Sequence, residues 1–351
     1  MNRILFAGGG TAGHIEPAWA CSQSWLAKHP GDEVAFLGTK NGLEVTLIPD
    51  RGGKLFLIPK VTAPRKINMQ AIFFPFKLIN SIIQTISVVK RYDIVVGFGG
   101  YVAASAYFAA IVMNKPIVIH EQNAKVGLAN RFGARFASEV AVAYPIAAIK
   151  LNFAKSVTIV GNPLRQEIVD AALKAQADWS AARLEAKRKL GVSGPIVLIL
   201  GGSSGSKAIN KVISNFKFEG CTAIHSIGKE NELPATTDNY RPLSYIQDMA
   251  TSLLASDLVI SRSGAIATAE FAALGRYALF IPLPIGNGEQ ALNADELVKA
   301  KRAEIIQQRD FTPEWLQSNL SRLLKKGSEE AFGTLLNASE QITECIERVL
   351  R

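Results

Sequence analysis

The sequence predicts an α/β protein of two doubly wound, parallel-sheet domains facing each other across a cleft, and three observations carry that prediction. First, one pattern occurs twice. Ile4-Leu5-Phe6-Ala7 runs into Gly8-Gly9-Gly10-Thr11-Ala12-Gly13-His14, and Ile196-Val197-Leu198-Ile199-Leu200 runs into Gly201-Gly202-Ser203-Ser204-Gly205-Ser206. A short aliphatic strand that breaks into glycines and turns into a helix presents bare backbone N–H groups, as each half of a Rossmann-like sheet does. Second, aliphatic runs alternate with helix-period stretches in both halves. Third, 351 residues exceed the size at which one core keeps growing, and an apolar content of 48% supplies material for two.

Taken in order, Arg3 to Ala7, Val34 to Leu37, Ile94 to Gly97 and Ile117 to His120 read as the strands of the first half. In the second half they are Ile196 to Leu200, Ala223 to Ile227, Leu258 to Ser261 and Ala278 to Ile281. Val160-Gly161-Asn162-Pro163 has the turn chemistry of a linker, which divides the chain into domains 1–161 and 162–339. Asp170 to Lys189, rich in Ala, Lys, Arg and Glu, reads as one solvated helix. Periodicity leaves open which domain the closing helical stretch, about 340–351, packs on, the first included.

Composition removes several classes. Cys21, Cys221 and Cys345 lie far apart with no C-x-x-C pair, so neither a disulfide framework nor a cysteine metal site is expected, and a reducing cytoplasm fits. Ile4 to Ala7 is too brief for a signal peptide, and Ile72 to Val89 and Val102 to Met113 are interrupted or stopped by polar residues, so no span is expected. The formal charge of +9 predicts an anionic partner. Without zinc-finger, RNA-binding or interleaved aromatic-basic signatures, nucleic acid is the weaker choice.

The loops narrow the chemistry. Gly8 to Gly13 satisfies G-x-G-x-x-G, but Val34 to Leu37 runs into Gly38-Thr39-Lys40 without the acidic residue that holds an NAD ribose; Lys40 leaves NADP formally open. In Ser261-Arg262-Ser263-Gly264-Ala265-Ile266-Ala267-Thr268-Ala269-Glu270, a strand end, a glycine turn and a helix start place a dipole where a diphosphate can bind. Glu270 can then accept two hydrogen bonds from a ribose diol, or merely complement the helix dipole. The absence of a D-x-D motif and of clustered ligands predicts no metal.

Gly10 to Pro17, Gly99-Gly100-Tyr101-Val102, His120-Glu121-Gln122-Asn123, Gly161 to Arg165, Gly201 to Ser206, Ser261 to Glu270 and Gln290 to Ala294 together resemble, in order over nearly the whole chain, one family. It is that of the bacterial undecaprenyldiphospho-muramoylpentapeptide β-N-acetylglucosaminyltransferases, the lipid II synthases. The resemblance implies a glycosyltransferase B fold, with lipid I bound mainly by the N-terminal domain and UDP-N-acetylglucosamine by the C-terminal one. It implies metal- and cofactor-independent transfer of N-acetylglucosamine to the C4 hydroxyl of the muramoyl unit, with inversion. An epimerase acting on UDP-N-acetylglucosamine is the nearest alternative.

Inversion needs a base for the acceptor hydroxyl and stabilisation of departing UDP. His14 is the leading base candidate, against a capping or phosphate-binding role, and Glu121 is the alternative. By the same resemblance Thr11, Ala12 and Gly13 lend amides to a diphosphate or the donor sugar, and Asn123 bonds the sugar. Arg165 and Ser203 meet the nucleotide and its phosphates, Ile246 meets the uracil, Ala265 to Ala269 cradle the diphosphate, and Gln290 reads the sugar hydroxyls, with Asn293 behind. Departures from the family pattern are Ala12 for glycine, Ser206 for alanine, and Gly288-Glu289 before Gln290.

A polyprenyl acceptor requires contact with the anionic cytoplasmic face of the inner membrane. Ala63-Pro64-Arg65-Lys66 followed by Phe73, Phe74, Phe76 and Lys77 supplies basic and aromatic side chains for it. Leu78, Ile79, Ile82, Ile83 and Ile86 fall at helical spacing and are expected to face the core.

Overall fold

A computed structural model describes residues 1–61, 69–202, 204–284, 288–327 and 335–351, with backbone alone at 69–75, 77 and 78. The chain forms two units, Met1–Arg165 with Leu335–Arg351, and Gln166–Thr334.

The first unit contains β1 (Arg3–Ala7), α1 (Ala12–Lys28), β2 (Glu33–Thr39), α2 (Glu44–Asp50), β3 (Leu55–Ile58), α3 (Met69–Val89), β4 (Ile94–Gly97), α4 (Gly100–Val112), β5 (Ile117–Glu121), α5 (Leu128–Gly133), β6 (Glu139–Val142), α6 (Pro145–Lys150) and β7 (Val157–Ile159). Its sheet has the order β3-β2-β1-β4-β5-β6-β7 and is parallel throughout. Alternation along a strand divides its core. Leu5 and Ala7 join Val95, Val102 and Ala106 on one face, while Ile4 and Phe6 join Ile15, Trp25, Phe36 and Val96 on the other. With both faces covered, every strand can be aliphatic, which is why such runs were readable.

In the second unit α7 (Gln166–Ala177) and α8 (Trp179–Lys189) precede β8 (Ile196–Leu200), α9 (Lys207–Ser214), β9 (Thr222–Ser226), β10 (Tyr240–Leu243), α10 (Met249–Ala255), β11 (Leu258–Ser261), α11 (Ala265–Ala273), β12 (Ala278–Phe280), α12 (Glu289–Lys299), β13 (Ala303–Ile305) and α13 (Pro313–Leu324). Its parallel sheet runs β10-β9-β8-β11-β12-β13 over a core including Val197, Ile199, Ile209, Leu279 and Leu316. The last helix, α14 (Ala338–Leu350), packs in the first unit, where Ile342 and Ile346 join Ile15 and Trp25 and Glu347 pairs with Lys28 at 2.7 Å.

Several elements differ from expectation. Asp170 to Lys189 is not one helix: Asp178 leaves the helix and caps α8, its Oδ1 accepting the Ala181 N–H at 2.9 Å. β3, β6, β7, β10 and β13 were not expected; β7 has three residues and β10 carries Pro242, tolerated because that strand is at the sheet edge. The stripe on α3 is corrected in part: Ile86 packs against the core as expected, but Ile79 and Ile83 do not. Ile79 and Ile83 are 55% and 60% exposed, while Ser81 and Thr85 are fully buried. Ser81 Oγ donates to Pro59 O and meets Ser105 Oγ of α4, and Thr85 Oγ1 donates to Ser81 O, so the polar side of the helix is satisfied inside.

Candidate functional site

In each parallel sheet the strand order reverses once, between β1 and β4 and between β8 and β11, and ligands bind beyond the carboxyl ends at such points. Both glycine loops lie there.

In the first unit the loop after β1 leads to Thr11 at the cap position of α1. Its hydroxyl does not bond back to the helix but meets His14 Nδ1 at 2.9 Å. The ring packs against the start of α4, for a Cβ on Gly100 would lie 3.9 Å from His14 Nε2. The amides of Thr11, Ala12 and Gly13 open α1 beside it, and the first-turn amides of a helix have no intrahelical acceptor. Desolvation lowers the His14 pKa to about 4, the charge of Glu44 opposing, so the imidazole is neutral at pH 7.

Glu121 ends β5 and both its oxygens are engaged. Oε1 accepts from the Asn123 N–H at 3.0 Å and Asn123 Nδ2 at 3.3 Å; Oε2 accepts from the Gly127 N–H at 2.9 Å and Asn130 Nδ2 at 3.0 Å. Burial pushes this carboxyl above its usual range, with those donors opposing. The carboxylate thus shapes the loop that carries Asn123.

In the second unit Arg262 is the organiser, and sequence reasoning assigned it no role. Its buried Nη1 donates to Ile281 O at 2.8 Å and Pro282 O at 3.2 Å, and Nη2 to Ser206 Oγ at 2.8 Å and Gln308 Oε1 at 2.6 Å. Ser206 also caps α9. Its hydroxyl therefore joins the glycine loop to the β11–α11 turn. Gly264 caps α11 without a side chain, which suits that helix start to an anion; Ile266, Ala267 and Ala269 are partly exposed there, and Ala265, Thr268 and Glu270 are buried. Ile246 is buried in the loop after β10. Gln290 Oε1 accepts the Leu283 N–H at 2.9 Å, and Asn293 Nδ2 donates to Ser263 O at 3.4 Å.

Arg165 ends the N-terminal segment of the first unit, partly buried. Ser203 and the segment Ala63 to Lys66 lie outside the described residues, as do the side chains of Phe73, Phe74 and Lys77. Phe76 is 69% exposed. Glu44 was missed entirely: it is buried, and its Oε2 accepts the Gly10 N–H at 2.9 Å. The signal was present in Gly38 and Gly42, two glycines just before a carboxylate.

Two family profiles match the chain: the glycosyltransferase family 28 N-terminal domain over residues 4–142 and the glycosyltransferase family 28 C-terminal domain over residues 196–349. A UDP-N-acetylglucosamine–N-acetylmuramyl-(pentapeptide) pyrophosphoryl-undecaprenol N-acetylglucosamine transferase of Streptomyces coelicolor is 41% identical, covering 92% of this chain and 89% of its own. The protein of the same name from Corynebacterium diphtheriae is 38% identical, over 99% of this chain and 97% of its own. Among solved structures, MurG of Acinetobacter baumannii superposes with a TM-score of 0.73 at 28% identity, covering 99% and 100% of the two chains. A UDP-GlcNAc 2-epimerase from Neisseria meningitidis reaches a TM-score of 0.64 at 15% identity over 99% and 100%, a likeness of fold alone.

Proposed function

This chain belongs to glycosyltransferase family 28, among the N-acetylglucosaminyltransferases of undecaprenol-linked muramyl pentapeptide, and from that premise we infer its reaction. It transfers N-acetylglucosamine from UDP-N-acetylglucosamine to the C4 hydroxyl of the muramoyl unit of lipid I, inverting the anomeric carbon and yielding lipid II. The observation that carries the assignment of residues is the pair of glycine loops at the two strand-order reversals.

At the first, the starts of α1 and α4 lie on either side of His14 and offer amides to the acceptor diphosphate. For Nε2 to take the hydroxyl proton, Nδ1 carries the other hydrogen and donates to Thr11 Oγ1, so Thr11 sets both tautomer and orientation. A base at about pKa 4 is weak, and the arriving diphosphate anion raises it towards the working range. Glu121 holds the loop from which Asn123 reaches the sugar. At the second, the start of α11 holds the donor diphosphate, Glu270 the ribose diol, Ile246 the uracil, and Gln290 the sugar; the family resemblance further implies contacts of Arg165 and Ser203 to the nucleotide and its phosphates.

Among the described residues no helix is long and apolar enough to cross a membrane. The enzyme docks on the anionic cytoplasmic face of the bilayer through α3, which turns Phe76, Ile79 and Ile83 to solvent, and α4, which exposes Phe108 and Val112. The test is incubation with labelled UDP-N-acetylglucosamine and a lipid I analogue. Labelled lipid is expected, and His14→Ala should lower kcat by roughly 10²–10⁴-fold. A changed free sugar without labelled lipid would overturn the transferase reading in favour of an epimerase.

A further inference from the structure

We propose that Glu44 is a positioning residue for the acceptor end of the reaction, fixing the first glycine loop in the shape that carries the Thr11, Ala12 and Gly13 amides and His14. The proposal rests on the acceptor-side reading of that loop. Glu44 opens α2, yet its carboxylate reaches across the sheet end to segments far apart in sequence. Oε2 accepts the Gly10 N–H at 2.9 Å, and Oε1 accepts the Thr39 N–H at 2.8 Å and Thr39 Oγ1 at 3.2 Å. Thr39 Oγ1 continues to Tyr101 OH at 3.3 Å, in the first turn of α4. One buried side chain therefore ties together the loop after β1, the end of β2 and the start of α4.

The backbone around it is shaped to admit it. A Cβ on Gly9 would lie 2.6 Å from Glu44 Oε1, and one on Gly38 or Gly42 would collide with the same side chain, so three glycines from two segments wrap the carboxylate. The groups that hold the buried Glu44 side chain are two backbone amides and one hydroxyl. Desolvation dominates at His14, and Glu44 acts on that ring in the opposite sense, favouring the imidazolium formed when the acceptor proton is taken. Because the Gly10 amide is turned inward to Glu44, the amides left for the acceptor are those that follow it, from Thr11 onward.

Glu44→Gln keeps the shape but puts an NH₂ group opposite one of two backbone donors. The full-length enzyme should keep its circular dichroism and a KM for UDP-N-acetylglucosamine within about twofold, while kcat/KM for a soluble lipid I analogue falls about tenfold or more. Gly9→Ala, which presses on Oε1 from the loop side, should show the same split even if the Gln variant folds poorly. Combined, the two should cost less than the product of their separate effects, since both act through one contact. Unchanged acceptor kinetics, equal losses on donor and acceptor, or multiplicative effects would each overturn the proposal. His14→Ala, assayed in parallel, separates the two readings. If it retains turnover while Glu44→Gln raises the acceptor KM, the base assignment falls and the loop role stands; if it loses turnover while Glu44→Gln does not, the Glu44 role falls alone.

Discussion

His225 shows how a buried neutral imidazole can order a loop from behind. Asn210 Nδ2 donates to Ile227 O at 2.9 Å, so Asn210 Oδ1 must accept, and it faces His225 Nε2 at 3.2 Å. Nε2 therefore carries the hydrogen, and Nδ1 accepts from Tyr240 OH at 2.9 Å. The chain ends on the Ile227 carbonyl, against which Gly205 of the second glycine loop packs too closely to admit a Cβ. His120 is likewise fixed, with Nε2 donating to Gly161 O at 3.0 Å. Burial lowers both pKa values to about 4, below the ordinary 6.5 of the unfolded chain. Protons thus bind the unfolded state more strongly: stability is full above pH 6.5 and drains as pH falls towards 4. At about pH 5.5 the loss is on the order of 1.4 kcal/mol for each ring. Urea unfolding at about pH 7.5 and 5.5 measures it, and His225→Gln should remove only that ring's share of the difference; equal stability of the wild-type protein at both would contradict the burial argument.

Among the elements, α3 is the one whose pattern misleads. Its apolar residues recur at helical spacing, and in a helix flanking a parallel sheet such a stripe normally faces inward. Here Ser81 and Thr85 face inward because Pro59 O, Ser105 Oγ and the helix's own Ser81 carbonyl satisfy them, and Pro59 and Ser105 come from other parts of the chain. Replacing Ile79 and Ile83 with serine should cut co-sedimentation with anionic liposomes several-fold while leaving the melting temperature within a few degrees; unchanged sedimentation would remove α3 from the docking face. The glycine loops, by contrast, were legible, since a strand that ends in glycines and opens a helix is a local steric statement. Arg262 was not, because its partners Ser206, Ile281, Pro282 and Gln308 are assembled only by sheet topology, and for Glu44 the nearby glycines hinted at a buried side chain while its contact with Gly10 is made only by the sheet. The strands missed were short or at edges, where β7 and β13 leave only three residues each to carry a pattern.

For the molecule as a whole, two sheets of the same winding present two loops of the same kind, and what distinguishes them is the side chains gathered there. The first has a neutral histidine, a buried carboxylate and amides at the openings of two helices, suited to an acceptor that must lose a proton. The second has a buried guanidinium bound to loop carbonyls and a carboxylate on α11, suited to a nucleotide with an intact diol. The central claim is that a uridine diphospho-sugar is held by the second, with Glu270 on its ribose. Calorimetric titration of UDP-N-acetylglucosamine into the full chain and into Glu270→Ala tests it most directly. One site per chain is expected, weakened by roughly 10- to 100-fold in the variant, as befits the loss of a charged acceptor for two hydroxyls; equal affinity in both proteins, or no binding to either, would contradict it.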